Sequence, residues 1–334
     1  MKKTVLIILL SLCLMGFAAC SDNEVESTTS ASELDTVTET EAADETTQES
    51  AEETVVAETT VTLEPAESLE VTDPLVYELA SPDIMTISET EREVDFYRDG
   101  LRIAGKMYLP EGDGPFPVVI MVAGFGMPQS LCPYDALVDS GYAVVTFDPI
   151  GVVPGSHSDG GTRDMSVLTE AADLNAVIDS VYDMPEIDCN NIFLWGHSLG
   201  GFVVTYCAAT RPFMINSAIV LEPSYQFSNE ANVYATTGEG SMFAFYGERF
   251  SIDAASFDIF DVIPQYTGSI LVIGGGVSPS VAVDYAEFMD EGVALFPHAE
   301  YISIPGANHN FDGGFMNLAM EYTVDFINSN IVVE

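Results

Sequence analysis

A chain of 334 residues with 53 acidic and only 9 basic side chains carries a formal net charge of −44. That balance argues against nucleic acid and against an anionic membrane surface as partners, because both repel a polyanion. With 47% hydrophobic residues, the chain still has the material for a large core.

The N-terminus opens with Lys2 and Lys3, runs apolar from Val5 to Leu12 and ends in Phe17-Ala18-Ala19-Cys20. A charged start, an apolar middle and small residues before a cut are the marks of a secretory signal. The segment is too short for a mature membrane-spanning helix. Its last four residues resemble a bacterial lipobox, which implies a signal peptide over residues 1–20 and a lipid on Cys20 as the first mature residue. The expected location is then extracytoplasmic, with the membrane met only through that lipid; plain secretion after a nearby cut is the alternative.

Residues 21–84 are expected to be a linker. Glu, Thr, Ser and Ala dominate, 18 acidic residues fall between positions 21 and 80, and no Lys or Arg occurs from 21 until Arg92. Such a segment cannot bury enough apolar surface to offset its ordering entropy. As a flexible chain it would reach roughly 45 Å, and further under its own charge repulsion. No internal repeat is evident.

Residues 85–334 form the expected folded domain, itself acidic, with 7 basic and 35 acidic residues between 81 and 334. Arg92 to Arg98 and Ile103 to Leu109 read as a hairpin turning at Gly100. Pro117 to Ala123 is a continuous apolar run fit for a strand buried on both faces. A helix over Leu131 to Asp139, a strand over Tyr142 to Phe147, a Gly-rich loop at 151–161 and a long helix from Ser166 to Tyr182 follow. Later strands are predicted at Ser217 to Leu221, Ser269 to Ile273 and Glu300 to Ile304, with helices at Ser280 to Asp290 and Asn317 to Asn328. Alternating strands and helices imply an α/β domain with a mostly parallel sheet covered on both faces. The stretch 224–266 interrupts this rhythm, and its Met, Phe and Tyr content suits either a cap insertion over an apolar pocket or plain packing on the sheet. Cys132, Cys189 and Cys207 are an odd count, so at least one is unpaired within the chain, and Cys207 on an apolar helix reads as a buried thiol.

Within this order, Asn191 to Trp195 is a short apolar run, Gly196-His197-Ser198-Leu199-Gly200 satisfies G-x-S-x-G, and Phe202 to Ala209 continues at helical length. Strand, sharp turn and helix are the context that makes such a serine an exposed nucleophile. The Leu199 N–H then faces an oxyanion site at a helix N-terminus, where the dipole favours negative charge.

The domain resembles the α/β-hydrolases, and among them the bacterial cinnamoyl and feruloyl ester hydrolases. The resemblance rests on Pro117 to Gly126, Pro154 to Gly160, Met165 to Glu170, Gly196 to Gly201, Tyr266 to Ile273 and Gly306 to His309. It implies an α/β-hydrolase fold, a serine nucleophile, a histidine base near the C-terminus and hydrolysis of carboxylic esters through an acyl-enzyme. The base is then His309, set after a strand by a Pro305-Gly306 turn, and the second oxyanion donor is the Phe125 N–H. The family has His-Gly where this chain reads Ala123-Gly124.

The acid departs from the family pattern, because Ser278 stands where an Asp is expected. Glu222, which closes the strand before, is the replacement considered first; Asp284 is a second. A Glu222 facing solvent or paired with an Arg stays open, as does a site with no acid at all. The histidines are not in metal-ligand spacing and there is no CxxC pair, so no metal is expected. Gly274-Gly275-Gly276 lacks the rest of a nucleotide-binding motif, so no cofactor is expected either. The expected partner is a small ester, with a peptidase of the same fold, or a binding protein that lost its acid, as alternatives.

Overall fold

The computed structural model describes residues 73–228, 247–276 and 284–333. Leu79–Thr86 (β1), Glu91–Arg98 (β2) and Leu101–Tyr108 (β3) pair as an antiparallel meander. The turn between β2 and β3 is Asp99-Gly100, both with positive φ (52° and 75°), the conformation that matches hairpin twist and favours Asp-Gly. Strand β1 begins inside the expected linker, with Leu79 to Ile84 before the boundary at residue 85 and Met85 and Thr86 after it. Its side chains are exposed along nearly its whole length, so it carries no buried alternation for a sequence pattern to reveal.

Phe116–Val122 (β4), Ala143–Phe147 (β5), Ile187–His197 (β6), Ser217–Leu221 (β7), Ser269–Gly275 (β8) and Ala299–Ile304 (β9) complete one sheet of order β1-β2-β3-β5-β4-β6-β7-β8-β9. From β5 to β9 every neighbouring pair is parallel. Side chains alternate between two cores. Val118, Ile120, Leu194, Val220 and Val272 face one cluster, and Val119, Met121, Phe193, Trp195, Ile219 and Leu271 face the other. Strands buried on both faces explain why these runs read as continuously apolar. Burying each large side chain contributes about 1.5–3 kcal/mol.

The first cluster is covered by Val167–Tyr182 (α2) and Leu199–Thr210 (α3), the second by Asp135–Asp139 (α1) and Phe315–Asn330 (α7). Helix α2 starts where expected because Ser166 caps it, exchanging hydrogen bonds with Thr169 in a capping box. Helix α1 is shorter than the Leu131–Asp139 prediction. A 3-10 turn ends at Leu131, Cys132 is extended (φ −66°, ψ 131°), and Pro133 holds the residue before it out of the helical region.

Of the stretch 224–266, residues 229–246 lie outside the described residues. Its later part forms Glu248–Ala255 (α4), Ile259–Val262 (α5) and a 3-10 turn over Ile263–Gln265, and buries Phe250, Ile259, Ile263 and Tyr266 in the first cluster. Asp284–Leu295 (α6) ends five residues beyond its predicted Asp290. No helix among the described residues is long and apolar enough to cross a membrane.

Two carboxylates pin the loops at one end of the sheet. Asp148, just past β5, accepts from the Gln129 N–H (2.6 Å) and from Ser156 Oγ (2.7 Å). Asp173 on α2 accepts from Arg98 Nε (2.6 Å) and the Ile150 N–H (2.8 Å), so charge-assisted bonds tie β2, α2 and the Gly-rich loop together.

Candidate active site

Parallel strands β6 to β9 end almost level, with His197 opposite Leu221, Leu221 opposite Ile273 and Gly275 opposite Ile304. The chain leaves each strand on the same edge, so residues just past them meet at the C-terminal end of the sheet, where open parallel sheets gather their sites. The ladder continues one step into the turns: Ser198 N–H donates to Leu221 O and Glu222 N–H to Ile273 O, each at 2.9 Å.

Ser198 sits between β6 and α3 with φ 57° and ψ −118°, a backbone that a side chain adopts only under constraint. The glycines around it supply the constraint. A Cβ on Gly196 would lie 2.4 Å from Gly200 O, and one on Gly200 would lie 2.2 Å from Val122 O, so strand, turn and helix close on one another only where both side chains are missing.

Three side chains converge here. Ser198 Oγ is 3.0 Å from His309 Nε2, and His309 Nδ1 is 3.4 Å from Glu222 Oε2. The other oxygen, Oε1, accepts a hydrogen bond from the Gly275 N–H. Glu222 is only 2% exposed at its side chain and His309 21%, so the carboxylate is buried rather than facing solvent, with the His309 ring beside it. Glu222 itself has positive φ (46°). A strained backbone at a carboxylate that ends a strand is the kind of outlier that functional sites keep.

Gly275 makes that approach possible, since a Cβ there would lie 2.7 Å from Ala307 O and 3.1 Å from Glu222 Oε1. In the sequence the Gly274–Gly276 run carries no motif that marks this role. Ser278 lies outside the described residues. Asp284 begins α6, and its side chain lies outside what the structure describes.

His197, next to the nucleophile, acts on His309 through the backbone. Its Nε2 lies 2.8 Å from the His309 carbonyl oxygen, which can only accept, so Nε2 carries the proton and donates. Burial first, and then the neighbouring His309, hold its pKa down at about 4, so the ring is neutral at pH 7 and fixes the loop without adding charge. His157 and His298 are exposed on loops. Ser224, also missed, places its Oγ 3.1 Å from Ser198 Oγ.

For the two N–H groups expected at an oxyanion site, Leu199 is the first residue of α3, where helix N–H groups have no intrahelical acceptor. Phe125 lies in a turn closed by Met127 N–H to Gly124 O at 3.0 Å. A Cβ on Gly124 would sit 3.3 Å from Ser198 Cβ, so this loop passes in van der Waals contact with the elbow. Among the described residues no group of three or more His, Cys, Asp or Glu side chains is placed to hold a metal. Cys132, Cys189 and Cys207 are free thiols, and burial pushes Cys132 up to about 12 and raises Cys207 as well, which makes both poor nucleophiles.

The profile of the Alpha/beta hydrolase family matches residues 119–326. A stretch is 30% identical over 143 residues to the type I acyl-CoA thioesterase mpaH' of Penicillium brevicompactum, covering 39% of this chain and 32% of that protein. The matched stretches span about a third of the length of the curated relatives. Est1E from Butyrivibrio proteoclasticus, solved with ferulic acid bound, superposes with a TM-score of 0.60 at 19% identity, over 70% of this chain and 96% of that one. Acetyl xylan esterase from Paenibacillus sp. R4 gives 0.59 at 15% identity, over 75% and 88%. These structural likenesses concern the fold, whereas the profile match spans more than half of the sequence and includes Ser198 and His309: the chain belongs to the α/β hydrolase family.

Proposed function

We propose that this protein is a serine hydrolase of carboxylic esters working through an acyl-enzyme. The observation that carries the reading is the continuous chain from Ser198 Oγ to His309 Nε2 and from His309 Nδ1 to Glu222 Oε2, at 3.0 and 3.4 Å. His309 Nε2 takes the Ser198 proton as Oγ attacks the acyl carbon, then returns it to the leaving alcohol. Glu222 holds Nδ1–H in the tautomer that leaves Nε2 free to accept, and it stabilises the imidazolium. The Leu199 and Phe125 N–H groups receive the charge on the carbonyl oxygen. Water then repeats the sequence and frees the acid.

Similarity to an acyl-CoA thioesterase and to structures named for ferulic acid and acetyl xylan supports an acyl ester as the substrate class. The lipobox-like end of the leader supports an exported enzyme held to a membrane by lipid on Cys20. The test is hydrolysis of short-chain p-nitrophenyl esters by wild type and Ser198→Ala. Turnover by the wild type, with the variant reduced to the level that binding and oxyanion groups alone provide, supports the reading; equal rates refute it.

A further inference from the structure

Ser224 is 2% exposed, and its hydroxyl has one hydrogen-bond partner among the described residues: Ser198 Oγ, at 3.1 Å. Its place is fixed by the backbone. The Ser224 N–H donates to the Ser198 carbonyl at 3.1 Å, and Pro223 packs against Gly201, where a Cβ would meet it at 3.1 Å. Among the described residues the hydroxyl bonds to no backbone group of β7 or α3 and meets only the nucleophile.

The direction of this bond follows from the rest of the site. When Glu222 accepts from His309 Nδ1–H, Nε2 is an acceptor, and the single Ser198 hydroxyl hydrogen goes to it. Ser224 O–H is then the donor and Ser198 Oγ the acceptor. Resting on the reading of Ser198 as the nucleophile, we infer that Ser224 is a further catalytic residue, whose hydroxyl donates to Ser198 Oγ as that oxygen leaves during breakdown of the acyl-enzyme.

The chemistry separates the two half-reactions. In acylation, Oγ starts as a hydroxyl oxygen that already accepts well, so the Ser224 bond is present before attack and gains only what the charge on Oγ adds as His309 takes its proton; with an activated ester that transition state is early and the gain is small. In the acyl-enzyme, Oγ is an ester oxygen and a poor acceptor. Water then adds to the acyl carbon and gives its proton to His309 Nε2. The C–Oγ bond breaks with its electron pair going to Oγ, and His309 passes that proton to Oγ. Oγ here goes from a weakly accepting ester oxygen to one that carries charge, a larger change than in acylation, so the Ser224 bond strengthens most at this transition state, which is the condition for acceleration.

The test is stopped-flow hydrolysis of p-nitrophenyl acetate by wild type, Ser224→Ala and Ser224→Gly, with melting temperatures as a fold control. Slowed deacylation lowers kcat and KM together and leaves kcat/KM, which reports acylation of an activated ester, nearly unchanged. The expected result is a fall in kcat of roughly tenfold to hundredfold, the range for losing a hydrogen bond to a charged group. KM falls in step, and a burst of p-nitrophenolate precedes the slower steady state. A fall in kcat/KM at constant KM, or no change in either constant, overturns the inference. Fluorophosphonate labelling of Ser198 distinguishes the two failures: labelled protein with unaltered Ser224 variants removes only the role of Ser224, while unlabelled wild type removes the nucleophile and this inference with it.

Discussion

Replacing Glu222 by Gln changes one atom and removes a buried charge. The carboxylate oxygen is 3.4 Å from His309 Nδ1, so at an effective dielectric constant of about 20 its attraction for an imidazolium is about 5 kcal/mol. Losing that interaction in the transition state corresponds to between three and four orders of magnitude in rate, at about 1.4 kcal/mol per tenfold. Partial exposure of His309, 21% at the side chain, screens some of this, and a fall of about a thousandfold is the working expectation. The amide makes matters worse in either orientation. With its oxygen kept on the Gly275 N–H, its NH2 faces Nδ1 and forces the wrong tautomer; turned over, two N–H groups confront one another at Gly275. The assay is steady-state hydrolysis of a p-nitrophenyl ester by wild type and Glu222→Gln, with circular dichroism to verify the fold. A variant that keeps more than a tenth of the wild-type kcat would refute the assignment of Glu222.

Gly275→Ala should act like Glu222→Gln without replacing a charged group, because its Cβ would press on Ala307 O at 2.7 Å and on the Glu222 carboxylate at 3.1 Å; wild-type kinetics would contradict this. Gly200→Ala would put a Cβ 2.2 Å from Val122 O and should destabilise the protein by about 3 kcal/mol or more, seen as a shift in the urea midpoint. His197 has a folded pKa of about 4 against 6.5 unfolded, so between these values the unfolded chain binds the proton and the folded one does not. Its contribution is complete above pH 6.5 and is lost as pH falls toward 4, about 3 kcal/mol in all. Urea unfolding at pH 7.5 and 4 should show a smaller acid loss in His197→Gln than in wild type, and equal losses would disprove it. Glu170 is fully buried, one oxygen makes no hydrogen bond, and burial, followed by Asp173, raises its pKa well above the usual range. The fold favours its neutral form, so its contribution is fully present at low pH and is lost as pH rises above the ordinary carboxylate range; the stability of Glu170→Gln relative to wild type should grow with pH, and a gap that shrinks with pH would be contrary.

The parallel part of the sheet was legible because strands buried on both faces are uninterrupted apolar runs, and the elbow because Gly196 and Gly200 are required by close backbone contacts. Strand β1 was not, since an exposed edge strand has no buried face to imprint on its sequence. The Pro133 break in the α1 region was readable and was passed over. At the site, Ser198, Glu222 and His309 follow strands that the sequence delimits, so their meeting reflects a register that the strand ends foreshadow. His197, Ser224 and Gly275 escaped notice for another reason. Each acts through a contact fixed by tertiary geometry, and a serine after a proline or the middle one of three glycines looks like ordinary turn chemistry. The run of three glycines at the end of β8 was the one available signal, because a strand end needs that many only where another group must come close.

The central claim is that Ser198 is an activated nucleophile, and covalent labelling tests it most directly. Treating the folded protein with a fluorophosphonate and mapping the modified peptide by mass spectrometry should place a single adduct on Ser198, absent from Ser198→Ala and formed far more slowly in Glu222→Gln. An adduct on another serine, or labelling of Ser198→Ala at the wild-type rate, would contradict the account.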